Sequence, residues 1–134
     1  MNNNDTLSDT LICQATLGIN PGYYHNNESE INAGIIIQRV TSRLFKSGII
    51  KNSISFVINK STTIYSMVNG CPYGGEDTIT ISSTANPKYV NDFEQWKKDC
   101  ITVIKALKQE LNQTTVLISF YETAKCLYLT DLTD

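Results

Sequence analysis

Along this chain, apolar and polar residues alternate with period two in several stretches and recur with a period near 3.6 in two others. Leu11, Cys13, Ala15, Leu17 and Ile19 interleave with Ile12, Gln14, Thr16 and Gly18, as in a strand with one dry face. The strand is expected to stop at Asn20-Pro21-Gly22, where proline fixes φ and glycine permits reversal. Asn27, with Glu30 three residues on, is a capping-box signal for a helix start. Ile31, Ile35, Val40 and Leu44, with Ile37 and Phe45 beside them, then mark an apolar helical face that runs to about Lys46, and Gly48 is placed to end it. Ile54, Phe56 and Ile58 alternate again, and Thr62 to Met67 is rich in β-branched and aromatic residues. The polar Asn59-Lys60-Ser61 between them predicts a hairpin rather than one long strand.

A dense loop follows, Val68 to Asp77, and then Thr78 to Ser82, in which hydroxyl side chains alternate with Ile79 and Ile81. Thr78, Thr80 and Ser82 must point away from the side that the isoleucines take, so they are expected on an exposed face or at an oligomer interface. Asp92 begins a second helix. Phe93, Trp96, Cys100, Val103, Ile104, Leu107 and Leu111 recur at three- and four-residue intervals, with Glu94, Lys97, Lys98, Lys105, Lys108 and Glu110 on the other side. That stripe assigns Trp96 and Phe93 to the core rather than to ligand stacking. Thr115 to Tyr121 and Lys125 to Thr130 are expected as two strands about a tight turn, Glu122-Thr123-Ala124.

Two strand-rich halves, each carrying a helix, resemble the split β-α-β plan. The predicted fold is α+β, a ferredoxin-like antiparallel sheet with two helices packed on one face. Residues 1–9, with a single leucine, are expected as a mobile tail and residues 10–134 as one α+β domain, a chain length that can bury a core without staples. That fold plan serves oxygenases, metal-tolerance trimers, nucleic-acid binders and regulatory modules, so it does not choose an activity. The central strand Thr78 to Ser82 lacks the aromatic residues of an RNA-recognition sheet.

Composition narrows the function classes. Apolar residues make up 41% and charged residues 18%, and the formal net charge is −2. No run of basic residues offers a phosphate-backbone footprint, and no apolar run is long enough to span a bilayer. We therefore expect no nucleic-acid partner, no membrane partner and a cytoplasmic location. Cys13, Cys71, Cys100 and Cys126 form no closely spaced pair and the chain has one histidine. No metal site and no cofactor are expected, and the cysteines read as reduced structural thiols. As a nucleophile Cys71 would depend on His25 as its base, and with Pro72 beside it and no cation nearby an ordinary thiol is expected.

Two loops are the candidate ligand-binding regions. One is Tyr23-Tyr24-His25, where paired phenols adjoin the only side chain that titrates near neutrality. The other is Tyr73-Gly74-Gly75-Glu76-Asp77, where glycines let a ligand approach the backbone and two adjacent carboxylates can receive a cation or act as base and acid. These carboxylates would repel a phosphate. The expectation is a non-catalytic, self-associating protein that binds a small molecule or a protein partner. The alternative is a small cofactor-free acid–base enzyme, of isomerase or oxygenase type, using Glu76 or Asp77 with His25.

Overall fold

The computed structural model describes residues 7–19 and 29–131. Its elements are β1 (Ser8–Gly18), α1 (Ser29–Lys46), β2 (Val57–Thr63), β3 (Glu76–Thr84), α2 (Phe93–Glu110) and β4 (Ile118–Cys126). The four strands form one sheet in the order β2-β3-β1-β4, and every neighbouring pair is antiparallel. Each helix therefore links two strands that run the same way with one strand between them, which is the ferredoxin-like plan. No helix among the described residues is long and apolar enough to cross a membrane.

One face of the sheet carries the core. Leu11, Cys13, Ala15, Leu17 and Ile19 of the first strand and its end are buried, as are Ile79 and Ile81 of β3. Against them pack Trp96, Cys100, Val103, Ile104, Leu107 and Leu111 from α2, and Ala33, Ile36, Ile37, Val40 and Leu44 from α1. Burial of this apolar area is the main source of stability. The Asp92 side chain caps α2, accepting the Gln95 backbone N–H at 3.1 Å.

Several local expectations need correction. The helical face of α1 is rotated from the one expected, because Ile35 and Phe45 are 50% and 48% exposed while Ala33 and Ile36 are buried. Asn59-Lys60-Ser61 is not a turn but runs through β2, paired with Thr80, Ile79 and Thr78. Such polar residues are tolerated because β2 is a sheet edge, where charge and polarity discourage unwanted pairing. Nor is Glu122-Thr123-Ala124 a turn: β4 is one strand, and the register shifts by one residue between Thr10 and Ile12. There a bulge absorbs the residues that look like a reversal, and Glu122 reaches Lys97 of α2 at 2.6 Å. Ser8 and Asp9, expected in the tail, pair with Cys126 and Lys125 because β4 is long enough to meet them. Asn20-Pro21-Gly22 and the Asn27 cap lie outside the described residues.

The Gln95 side chain donates to Asp99 Oδ1 at 2.8 Å. Asp99, 2% exposed, accepts on its other oxygen from the backbone N–H groups of Lys51 and Asn52 and from Asn52 Nδ2, at 2.8–2.9 Å. One carboxylate thus pins the connection between α1 and β2 to the middle of α2. Removing it leaves two backbone donors without partners, so Asp99→Ala should cost about 2–3 kcal/mol in a urea titration.

Candidate functional site

Four strand ends meet at one end of the sheet. Gly18 pairs with Thr78, Ala15 with Ile118 and Thr63 with Glu76. The exits of β1 and β2 and the entries of β3 and β4 are therefore neighbours. Between them lies a cleft of about 440 Å³, lined by Gly18, Ile19, Pro72, Gly75, Glu76, Asp77, Leu111, Asn112 and Gln113. The backbone bond from Ile19 N–H to the Asp77 carbonyl, 3.2 Å, ties the first strand to the glycine-rich loop.

The loop between β2 and β3 is shaped by its own polar groups. Ser66 caps a single 3-10 turn, Met67–Asn69, its hydroxyl accepting the Val68 N–H. Buried Cys71 accepts the Tyr65 N–H at its sulfur, 3.5 Å away. A tight turn then closes with Gly75 N–H on the Pro72 carbonyl at 2.9 Å. Gly75 has φ +98°, and an added methyl would meet Thr62 Cγ2 at 2.8 Å and the Thr63 carbonyl at 2.9 Å. Only glycine fits this step, and it delivers Glu76 and Asp77 to the cleft. By alternation Glu76 shares the sheet face away from the helices with Thr78 and Thr80, while Asp77 falls on the side of Ile79. Thr78, expected to be exposed, is instead buried beneath Ser61 and Thr63.

The opposite wall comes from the end of α2. Gln113 N–H bonds the Lys108 carbonyl at 2.9 Å and Asn112 N–H the Gln109 carbonyl at 3.1 Å, with Asn112 at φ 54°. This is a Schellman ending with asparagine in the left-handed position. It brings the Gln113 side chain over Gly18, where its Nε2 donates to the Leu111 carbonyl at 3.0 Å. Among the described residues no lysine or arginine lines the cleft, and its two carboxylates suit a cation.

Of the residues singled out in the sequence, Gly75, Glu76 and Asp77 line this cleft. Gly74 and Tyr73 do not. Gly74 serves the turn at φ 87°, and Tyr73 is 94% exposed. Tyr23, Tyr24 and His25 lie outside the described residues. Cys71 is a structural acceptor within its loop. Beyond the hydroxyls already noted on β3, the open face carries Thr16, Ser61 and Thr63. Ser61 bonds Thr78 and Thr80 at 2.8 and 3.0 Å, and Thr63 donates to Thr78 at 3.1 Å.

Two neighbours of Glu76 escape a linear reading of the sequence. Tyr65 has its phenol pKa held above the usual value near 10, first by lost hydration, then by the charge of Glu76 and by Cys71. It is a neutral donor at physiological pH. Gln113 reaches the cleft only through the helix ending. The one cue to it in the sequence is Asn112, a residue that favours a left-handed stop just after the apolar stripe.

A family model described as SAM lyase matches residues 10–130. No curated protein matches the sequence. Among solved structures, a phage SAM lyase in complex with S-methyl-5'-thioadenosine overlays at TM-score 0.52 and 13% identity, covering 90% of this chain and 92% of that one. A phage SAM lyase in the apo state overlays at TM-score 0.53 and 12% identity, covering 94% of each chain. CutA from Synechococcus elongatus gives TM-score 0.41 and 10% identity over 90% of this chain and 85% of that one. The two lyase overlays show the shared fold.

Proposed function

This chain belongs to the SAM lyase family, and we propose that it cleaves S-adenosylmethionine in the cleft lined by Glu76 and Asp77, releasing S-methyl-5'-thioadenosine. That product keeps the methyl group and the 5' carbon of the sulfonium, so the bond broken is the one from sulfur to the four-carbon amino-acid chain. The bonding pair leaves with sulfur, which passes from a cation to a neutral thioether, while the substrate's own carboxylate oxygen forms a new bond to the released carbon and closes a lactone. No water and no redox partner is consumed in that step.

The cleft's charge supports this reading most directly, since among the described residues two carboxylates and no basic side chain line it, which suits a substrate that carries a sulfonium and an ammonium. Their chemical role follows from which charge survives. The sulfonium charge vanishes as the bond breaks, so a carboxylate held against sulfur would stabilise the substrate more than the transition state. The ammonium charge persists throughout. Glu76 is therefore assigned to the ammonium, with the Tyr65 hydroxyl and the Gln113 amide as neutral groups that orient the rest. In this reading the carboxylates of the acid–base alternative are kept and His25 is not required.

Incubation of the purified protein with S-adenosylmethionine, followed by chromatography at the adenine absorbance, tests the reading. S-methyl-5'-thioadenosine should appear as substrate disappears. Binding without turnover would leave only a ligand-binding protein, and neither binding nor turnover would overturn the assignment.

Gly18 offers a finer test. A methyl there would collide with Gln113 Oε1, the end of a side chain able to move. Gly18→Ala should change stability by less than about 1 kcal/mol. By displacing Gln113 it should weaken S-methyl-5'-thioadenosine binding about tenfold in calorimetry.

Self-association belongs to the same proposal. Val57 and Tyr121 of the two edge strands, and Leu117 just before β4, are exposed apolar side chains, as a surface that meets another copy would have. A clean monomer by light scattering at micromolar concentration would overturn this part. A cytoplasmic location fits a substrate made and used inside cells.

A further inference from the structure

We propose that the Gln113 side chain selects adenine as the base this cleft accepts, by setting an oriented amide against the 6-amino edge of the purine. This base selection rests on the proposed cleavage of S-adenosylmethionine in the same cleft. The amide is held from two directions. Gln113 Nε2 donates to the Leu111 carbonyl at 3.0 Å, and the Gln113 backbone N–H donates to the Lys108 carbonyl at 2.9 Å. Gln113 Oε1 occupies the place where a β-carbon on Gly18 would stand. Gly18 is not one of the glycines with positive φ, so what its missing side chain provides is room for this amide rather than a turn.

Gly18 pairs directly with Thr78 across the sheet, and cross-strand partners share a face. The amide therefore stands on the same face as Glu76, two residues before Thr78. Gln113 and Glu76 line the cleft together with Ile19, Pro72 and Leu111, its apolar surface. With the amino-acid end of the substrate on Glu76, the base falls to the Gln113 side.

The anchor on Leu111 decides which base fits. A carbonyl oxygen accepts only from a donor, so the end of the amide against Leu111 is its nitrogen. With one N–H engaged there, the amide oxygen and the remaining N–H present an acceptor beside a donor. Adenine meets them with a donating amino group beside an accepting ring nitrogen, the pairing that side-chain amides make with adenine in nucleic acids. Hypoxanthine carries the same two functions in reverse order, an accepting oxygen beside a donating ring N–H. Turning the amide over would set its oxygen against the Leu111 carbonyl oxygen, and turning the base over would carry the ribose away from Glu76. Either change leaves polar groups unpaired.

Calorimetric titration of the full-length chain with S-methyl-5'-thioadenosine and with S-methyl-5'-thioinosine, its deaminated counterpart, tests this selection. The adenine nucleoside should bind about thirtyfold more tightly, the discrimination typical of one two-point amide contact. Gln113→Leu keeps much of the bulk and loses both polar atoms, so the ratio should fall to within about threefold, mainly through weaker binding of the adenine nucleoside. Gly18→Ala, which displaces the amide, should lower the ratio in the same direction. A side chain that served only the helix ending would weaken both nucleosides alike. Equal binding of the two by the unaltered chain, or a ratio unchanged by Gln113→Leu, would overturn the selection and leave the cleavage proposal standing. Failure of both to bind the unaltered chain would overturn the cleft assignment and the selection with it.

Discussion

Glu76→Gln should lower kcat/KM for S-adenosylmethionine by about a hundredfold, nearly 3 kcal/mol, the size of one charge-assisted hydrogen bond. Glutamine keeps the shape and one acceptor but loses the charge. Because the ammonium is cationic in both substrate and transition state, most of the loss should fall in KM, with kcat changed far less. A loss carried wholly by kcat would instead make Glu76 a base or a stabiliser of the breaking bond. A loss below about twofold would remove Glu76 from the site altogether. Fold damage is separable from this effect, since Glu76 is exposed at the start of β3 and its replacement should leave the thermal midpoint nearly unchanged.

For stability the largest expected effect lies elsewhere. Trp96 is 2% exposed in the first turns of α2, and Trp96→Ala should cost about 3–5 kcal/mol, the range for large buried aromatics whose neighbours relax only partly into the space left. In a urea titration the midpoint should fall while the slope is kept, as for a change that destabilises without altering the surface exposed. A cost under about 1 kcal/mol would mean that the residue is not a packing centre.

How far the chain could be read without coordinates depended on how cleanly each face was spelled out. α2 was legible because charged residues separate its apolar ones, leaving a single face to choose. In α1 the run Ile35-Ile36-Ile37 lets two faces compete, and the apolar residues with the more conspicuous spacing, Ile35 and Phe45, turn out to be half-exposed. β1 and β3 alternate because one side of each is buried. β2 and β4 are edges, and Asn59-Lys60-Ser61 and Glu122-Thr123 carry the polarity of edges, which in a linear string looks like a turn.

The cleft was half visible. Gly75, Glu76 and Asp77 announce themselves by composition. Tyr65 comes from early in the same loop and stands beside Glu76, whereas Gln113 comes from another connection and reaches the cleft only because a helix ending carries it there. Tyr65 sits in a stretch rich in β-branched and aromatic residues that reads as strand, yet it belongs to the loop after β2. His25 was attractive as a lone titrating group, but the chemistry proposed for the cleft moves an electron pair to sulfur and leaves it no necessary part.

The grip of Asp99 on Lys51 and Asn52 has a dynamic counterpart. These two amides lie in a stretch without helix or strand, where solvent deuterium would normally enter within moments. Bound to a carboxylate seated in α2, they can be reached only when that helix lifts away, so their labelling should keep pace with the slowest amides around Val103 and Leu107.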